Sequence, residues 1–248
     1  MNLLTNISLR LMNFMRLLER PELFILRSRG ANMDTFFELN QPWFHDMNFR
    51  TVLDIGANAG QFALSINAAI PDAHIYSFEP LSDCFEKLKN KHRYIDKFTP
   101  INIGVGNQSG SLAFERSSLD LSSSFLKMSD IHKKAFPISK ESVVVDVKIE
   151  KLDTLVKTID ITEPLFIKID VQGYEDKVLL GGEKTIKQAK LILIETSFVS
   201  LYLGQALFKD TYQILKGFGF SYIGSLDKIR HPKTGQILQE DSLFLRND

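Results

Sequence analysis

Cysteine is almost missing from this sequence: Cys84 is the only one among 248 residues. A single thiol excludes an intrachain disulfide framework and any multi-cysteine zinc site, and it points to a reducing, cytoplasmic setting. Cys84 falls in a helical pattern, where it reads as a small buried apolar residue. Net charge is lacking too, since 30 basic residues balance 30 acidic ones. No global field therefore favours nucleic acid or an anionic membrane. A long unbroken apolar run is also missing. Arg10, Arg16 and Arg20 interrupt the stripe in residues 1–20, so neither a membrane span nor a secretory apolar segment is expected there. The five histidines show no His-x-x-His spacing, and no repeat or low-complexity tract occurs. What the chain does have is 44% hydrophobic residues, enough for a substantial core in one large domain or a domain with an appendage.

The organising stretch is residues 51–62. Val52, Leu53 and Ile55 form a short apolar run suited to a strand buried on both faces. Asp54, Gly56, Asn58 and Gly60 turn the chain, and a helix follows through Gln61, Phe62, Ala63 and Ile66. Such a unit exposes backbone groups at the carboxyl edge of a sheet, where open α/β folds bind ligands. The spacing Asp-x-Gly-x-Asn-x-Gly is not the three-glycine turn of a dinucleotide site. Its acidic residue suits a cationic amino acid moiety, and S-adenosylmethionine carries one. The plainer alternative is an ordinary turn whose glycines supply positive φ. A second strand over 74–78 ends in Glu79-Pro80, which places Glu79 25 positions after Asp54. That is near the interval at which a nucleotide fold offers an acid to the ribose hydroxyls. Candidate cofactor contacts are therefore Asp54, Gly56, Asn58, Gly60, Gln61, Phe62, Glu79 and Pro80. Asn107, at the edge of a third strand over 98–105, is added as an adenine contact.

Around this centre, residues 1–20 read as an amphipathic helix that packs on the domain or on a second subunit, with an in-plane membrane contact as the alternative. Residues 31–50, rich in Phe and Trp, read as a cap over the mouth of the fold. Residues 108–150 break the alternation of strand and helix. Alternating stretches at 110–114 and 143–149 predict an antiparallel insertion there. Further strands are expected at 165–170, 191–195, 220–223 and 242–245, with helices from about 82, from 175 to about 188, and over 211–217. The expected fold is a doubly wound, mostly parallel α/β sheet of Rossmann-like type. An arm and cap over 1–45 would precede a single catalytic domain over 46–248.

Lys168 and Asp170 lie two apart on a strand and share a face. In an apolar strand they need partners, so they either neutralise one another or serve chemistry at the strand end. Asp170 or Glu195 could take a proton from an acceptor hydroxyl, directly or through a metal. Lys168 joins them as a catalytic candidate. Gln172, Tyr174 and Glu175 offer polar atoms to a substrate on the following loop, although Glu175 could simply favour a helix N-terminus. No metal ligand set stands out, so a divalent metal is possible but not indicated.

Together, Asp54-Ile55-Gly56-Ala57-Asn58-x-Gly60, Phe78-Glu79-Pro80 and Ile167-Lys168-Ile169-Asp170-Val171-Gln172-Gly173-Tyr174-Glu175 resemble the FkbM family of methyltransferases. Leu179-x-Gly181-Gly182-Glu183, Ile194-Glu195 and Gly217-Phe218-Gly219-Phe220 continue the likeness over roughly residues 50–225. The resemblance implies a class I, S-adenosylmethionine-dependent enzyme that methylates hydroxyls of sugars, polyketides and related metabolites. It implies cofactor roles for Asp54, Gly56, Gly60 and Glu79 and an active-site place for Asp170. The expected activity is O-methylation of a sugar, glycan or glycosylated metabolite. An N- or RNA methyltransferase and a non-catalytic nucleoside-binding module are the alternatives. The acceptor would be a small molecule or glycan, with no nucleic acid expected.

Overall fold

A computed structural model describes residues 20–117, 123–129, 132 and 142–247. Residues 1–19 of the helix expected over 1–20, with the subunit contact expected of it, lie outside the described residues. Three short helices come first, α1 (Glu22–Ser28), α2 (Met33–Leu39) and α3 (Pro42–His45). Then follow β1 (Thr51–Ile55), α4 (Gln61–Ala69), β2 (His74–Phe78), α5 (Ser82–Lys89) and β3 (Phe98–Ile101). The middle of the chain holds β4 (Gly104–Gly106), β5 (Gly110–Ser117), β6 (Ser142–Lys151) and α6 (Leu152–Leu155). The rest is β7 (Leu165–Ile169), α7 (Glu175–Gly181), α8 (Glu183–Ile186), β8 (Ala189–Ser197), α9 (Phe208–Gly217), β9 (Phe220–Arg230) and β10 (Ile237–Arg246).

Seven strands form one sheet in the order β3-β2-β1-β7-β8-β10-β9. The first five of these run parallel, and β10 is antiparallel to both of its neighbours. β1 and β7 are buried along their whole length, as their mostly apolar residues predicted. Alternate residues feed two cores. Val52, Phe166, Leu193 and Leu243 pack on one face with Phe62 and Ile66 of α4. Leu53, Ile167, Ile194 and Phe244 pack on the other with Val178 of α7 and Leu215 of α9.

Several expectations change in the structure. The third strand splits in two at Asn102, whose side-chain amide donates to the carbonyls of Glu79 (2.8 Å) and Pro80 (3.1 Å). Beyond the break, β4 leaves the main sheet for a second one, ordered β4-β6-β5, in which β5 and β6 are antiparallel as predicted. The helix expected over 175–188 breaks at Gly181-Gly182. A Cβ on Gly181 would sit 1.8 Å from the carbonyl oxygen of Gly106, so the backbones touch there. Asp153 then accepts from the amides of Lys184 and Thr185 and caps α8. The segment 31–50 does not roof the mouth of the fold. Phe44 meets Phe166 of the sheet edge-to-face and Phe49 meets it at a tilt, both with ring centroids 5.3 Å apart, closing the core from one face. Burial of apolar surface explains why: these rings gain more against the sheet than over a wet opening. Only Asn32 from this segment reaches the cleft described below. Among the described residues no helix is long and apolar enough to cross a membrane.

Candidate active site

The strand order reverses between β1 and β7, and open α/β sheets bind ligands at such a point. Gly56 (φ +80°) leaves β1 in the left-handed region, and its amide and that of Ala57 donate to the carbonyl of Phe78 at 3.0 Å each. A Cβ at Gly56 would lie 1.8 Å from the carbonyl oxygen of Asp170, so the turn and the end of β7 are in backbone contact. The amide of Asn58 donates to Glu79 Oε2 (2.9 Å) and that of Leu81 to Oε1 (2.9 Å). Burial pushes the Glu79 carboxyl up to about 7, while these two backbone donors pull it back. Each carboxylate oxygen keeps a lone pair for a further donor.

Asp54 and Lys168 stand side by side in register on β1 and β7. Lys168 Nζ lies 3.4 Å from Asp54 Oδ1 and 3.5 Å from Asp170 Oδ2, and it donates to the carbonyl of Gly56 at 2.9 Å. Ser77 donates to the other oxygen of Asp54 at 2.9 Å. Burial alone would lower the Lys168 ammonium, but Asp170, Asp54 and Asp241 hold it above its ordinary value. Lys168 therefore ties the glycine turn to β7 as a fixed cation.

The loop after β7 carries a second network. Gln172 (φ 54°) donates its amide to Asp170 Oδ1 (2.7 Å) and to Glu195 (3.1 and 3.3 Å), and accepts from the hydroxyl of Tyr202 (2.9 Å). Glu175 Oε1 accepts from the amides of Val171 (3.1 Å) and Gly173 (3.0 Å), so this buried acid braces the loop from inside. Burial, then the charges of Asp170, Glu175 and Asp241, push Glu195 well above its ordinary range.

A cleft of ≈ 490 Å³ opens over the carboxyl ends of these strands. Of the residues predicted from sequence, Gly56, Asn58, Glu79 and Pro80 line it, as do Asp170, Gln172 and Glu195. The others do not. Asp54 is fully buried beneath the turn, paired with Lys168, because both point into the α4 face of the sheet. Gly60 and Gln61 begin α4, and Phe62 packs in the core against Phe166. Asn107 is exposed just past β4, the strand that left the main sheet. Tyr174 lies against Phe125 at 4.8 Å, and Glu175 is committed to its loop. Sequence reasoning missed Gln239, Glu240 and Asp241 of β10, together with Asp227 and Ile229 of β9. The register would have found one of them: Asp241 is the partner of Glu195.

The half of the cleft around Glu79 has the chemistry of a nucleoside site. A buried carboxylate with free lone pairs stands beside Phe78, Leu81, Ile103 and Val105, an apolar slot for a flat base. These residues fit S-adenosylmethionine, the cofactor implied by the resemblance. Among the described residues no three His, Cys, Asp or Glu side chains are arranged to hold a metal ion.

The chain is 27% identical over 143 residues to the hexuronic acid methyltransferase AglP of Haloferax volcanii, a match covering 57% of this chain and 54% of AglP. The chain thus spans about half the length of that relative. It is 25% identical over 174 residues to the 2-O-methyltransferase NoeI of Sinorhizobium fredii, covering 67% of this chain and 71% of NoeI. Among solved structures, magnesium protoporphyrin IX methyltransferase from Synechocystis aligns with a TM-score of 0.45 at 13% identity, over 86% of this chain and 78% of that one. The model of the methyltransferase FkbM domain matches residues 54–222, which run from the acid of the glycine turn to the start of β9. The chain belongs to the FkbM methyltransferase family, whose methyl donor is S-adenosylmethionine.

Proposed function

We propose that this protein is an O-methyltransferase acting on a hydroxyl of a sugar or glycosylated metabolite, with Asp170 as the base. The observation that carries this reading is the placement of Asp170. It lines the cleft at the end of β7, in backbone contact with the glycine turn, and both of its oxygens face fixed donors. S-adenosylmethionine supplies an electrophilic methyl group when bound. The chain has to hold the donor and the acceptor in line and give the hydroxyl proton somewhere to go. Glu79 and Asn58 are assigned the ribose end. Lys168 and Gln172 fix the Asp170 carboxylate so that it faces the acceptor. Glu195, raised above its ordinary range by burial and neighbouring acids, shares the Gln172 amide with Asp170 and lines the acceptor side of the cleft.

AglP and NoeI, named for a hexuronic acid and a 2-O position, support a sugar hydroxyl as acceptor. An RNA acceptor fits less well, because no Lys or Arg lines the cleft among the described residues. Release of S-adenosylhomocysteine in the presence of a panel of glycosides is the test. Turnover with a glycoside, lost in Asp170→Asn, is the expected result. Turnover with RNA or amines alone would overturn the reading.

A further inference from the structure

β9 and β10 bring residues into the cleft for which the methyl-transfer chemistry has no use. Gln239 is buried, and its side-chain Nε2 has no hydrogen-bond partner among the described residues. A buried amide left without an acceptor is costly, and a ligand oxygen reaching the cleft wall would satisfy it. Two positions along β10, on the same face, Asp241 pairs across to Glu195 of β8. Opposite this point the β9–β10 register shifts between Glu240↔Lys228 and Ser242↔Ser225, an irregularity of the kind that re-aims side chains beside sites. Both Asp227 and Asp241 line the cleft.

We infer that Gln239, Asp241 and Glu195 form the acceptor subsite, and that it takes an uncharged polyhydroxylated acceptor and rejects one bearing a carboxylate. The inference rests on the sugar O-methyltransferase reading above. A hydroxyl is at once donor and acceptor. It can accept from Gln239 Nε2–H and donate to a carboxylate oxygen two residues away. A carboxylate ligand can only accept, and among the described residues the cleft offers it no Lys or Arg. Six acids face it instead: Glu79, Asp170, Glu195, Asp227, Glu240 and Asp241. Lys168, whose partner Asp170 lines the cleft, is already held between Asp54 and Asp170. Burial, followed by the charge of Asp170, pushes Asp241 up to about 7, so one more negative charge would meet the same field.

The experiment compares methyl transfer to neutral methyl hexosides and deoxyhexosides with transfer to the matching methyl hexuronosides, with S-adenosylhomocysteine binding followed by calorimetry. The expected result is a preference of at least about tenfold for the neutral member of a pair, narrowing in Asp241→Asn. Gln239→Leu should raise KM for the neutral acceptor about tenfold and leave S-adenosylhomocysteine binding in place, as loss of one hydrogen bond in a polar site predicts. If Asp241→Asn does not fold, Gln239→Leu decides the matter: an unchanged KM overturns the subsite. Equal or faster methylation of the hexuronosides by the wild-type protein overturns the inference alone. If no glycoside is methylated while S-adenosylhomocysteine still binds, the sugar reading falls, and the subsite with it.

Discussion

At the scale of single residues, Glu79 and Asp170 divide the work of the proposed site. Glu79 already accepts two backbone amides, so a nucleoside would add hydrogen bonds to a carboxylate that is held in place. Glu79→Ala should weaken S-adenosylhomocysteine binding by about 2–4 kcal/mol, read by calorimetry. The sign with pH follows from the raised carboxyl. Ribose hydroxyls are bound best by the ionised form, which becomes the major one as pH passes about 7. Affinity should therefore rise between pH 6 and 8, and Glu79→Gln should flatten that rise. An affinity independent of pH in the wild-type protein would remove Glu79 from the ribose end. For Asp170, replacement by Asn keeps shape and removes the base. Turnover should fall at least about a hundredfold, with S-adenosylhomocysteine binding largely kept. Turnover near the wild-type rate would reassign the base, whereas joint loss of binding and folding would mean that Asp170 only balances Lys168.

Among the elements, the glycine turn and the end of β7 act as one piece. The turn is legible in the sequence because Gly56 must take φ +80° and because a neighbouring backbone must touch it. Gly56→Ala would set a methyl group 1.8 Å from the Asp170 carbonyl, in a backbone conformation that alanine avoids. We expect a loss of about 3 kcal/mol or more in a urea melt, or failure to fold. A stable Gly56→Ala protein would show that the turn can move away from β7. The role of Asp54 was less legible. From sequence it read as an acid facing the ligand, yet in register with Lys168 it becomes a buried counter-ion. Alternation along one strand puts Val52 and Asp54 on the same face, but it cannot say that Lys168 of another strand lies beside them. β9 was legible only at its start, since most of its residues are exposed or half-buried and leave no alternation to read.

For the whole molecule, the cleft gathers more acid than the chain's balanced charge suggests. Burial pushes Glu79, Glu175 and Asp241 each up to about 7. A carboxyl raised in the folded state keeps a proton that the unfolded chain has already released. Stability thus falls as pH rises from the ordinary carboxylate range to about 7, and levels off above it. Between pH 6 and 8 the ligand-free protein should lose about 4 kcal/mol, lowering Tm by roughly 10 °C in a thermal melt at constant ionic strength. A Tm that climbs over this interval would contradict the buried protonated acids.

The sequence by itself determined the parallel strands, the glycine turn and the acids at the ends of β2, β7 and β8. Each is a local matter of apolar runs, backbone conformation and strand-end position, visible within a dozen residues. Tertiary structure alone decided that Phe62 belongs to the core, that Asn107 leaves the sheet, and that Lys168 is shared between Asp54 and Asp170. It alone placed Asp241 beside Glu195 and brought Gln239 to the cleft wall. The physical reason is register: pairing between strands far apart in the chain sets which side chains meet, and no single stretch carries that information.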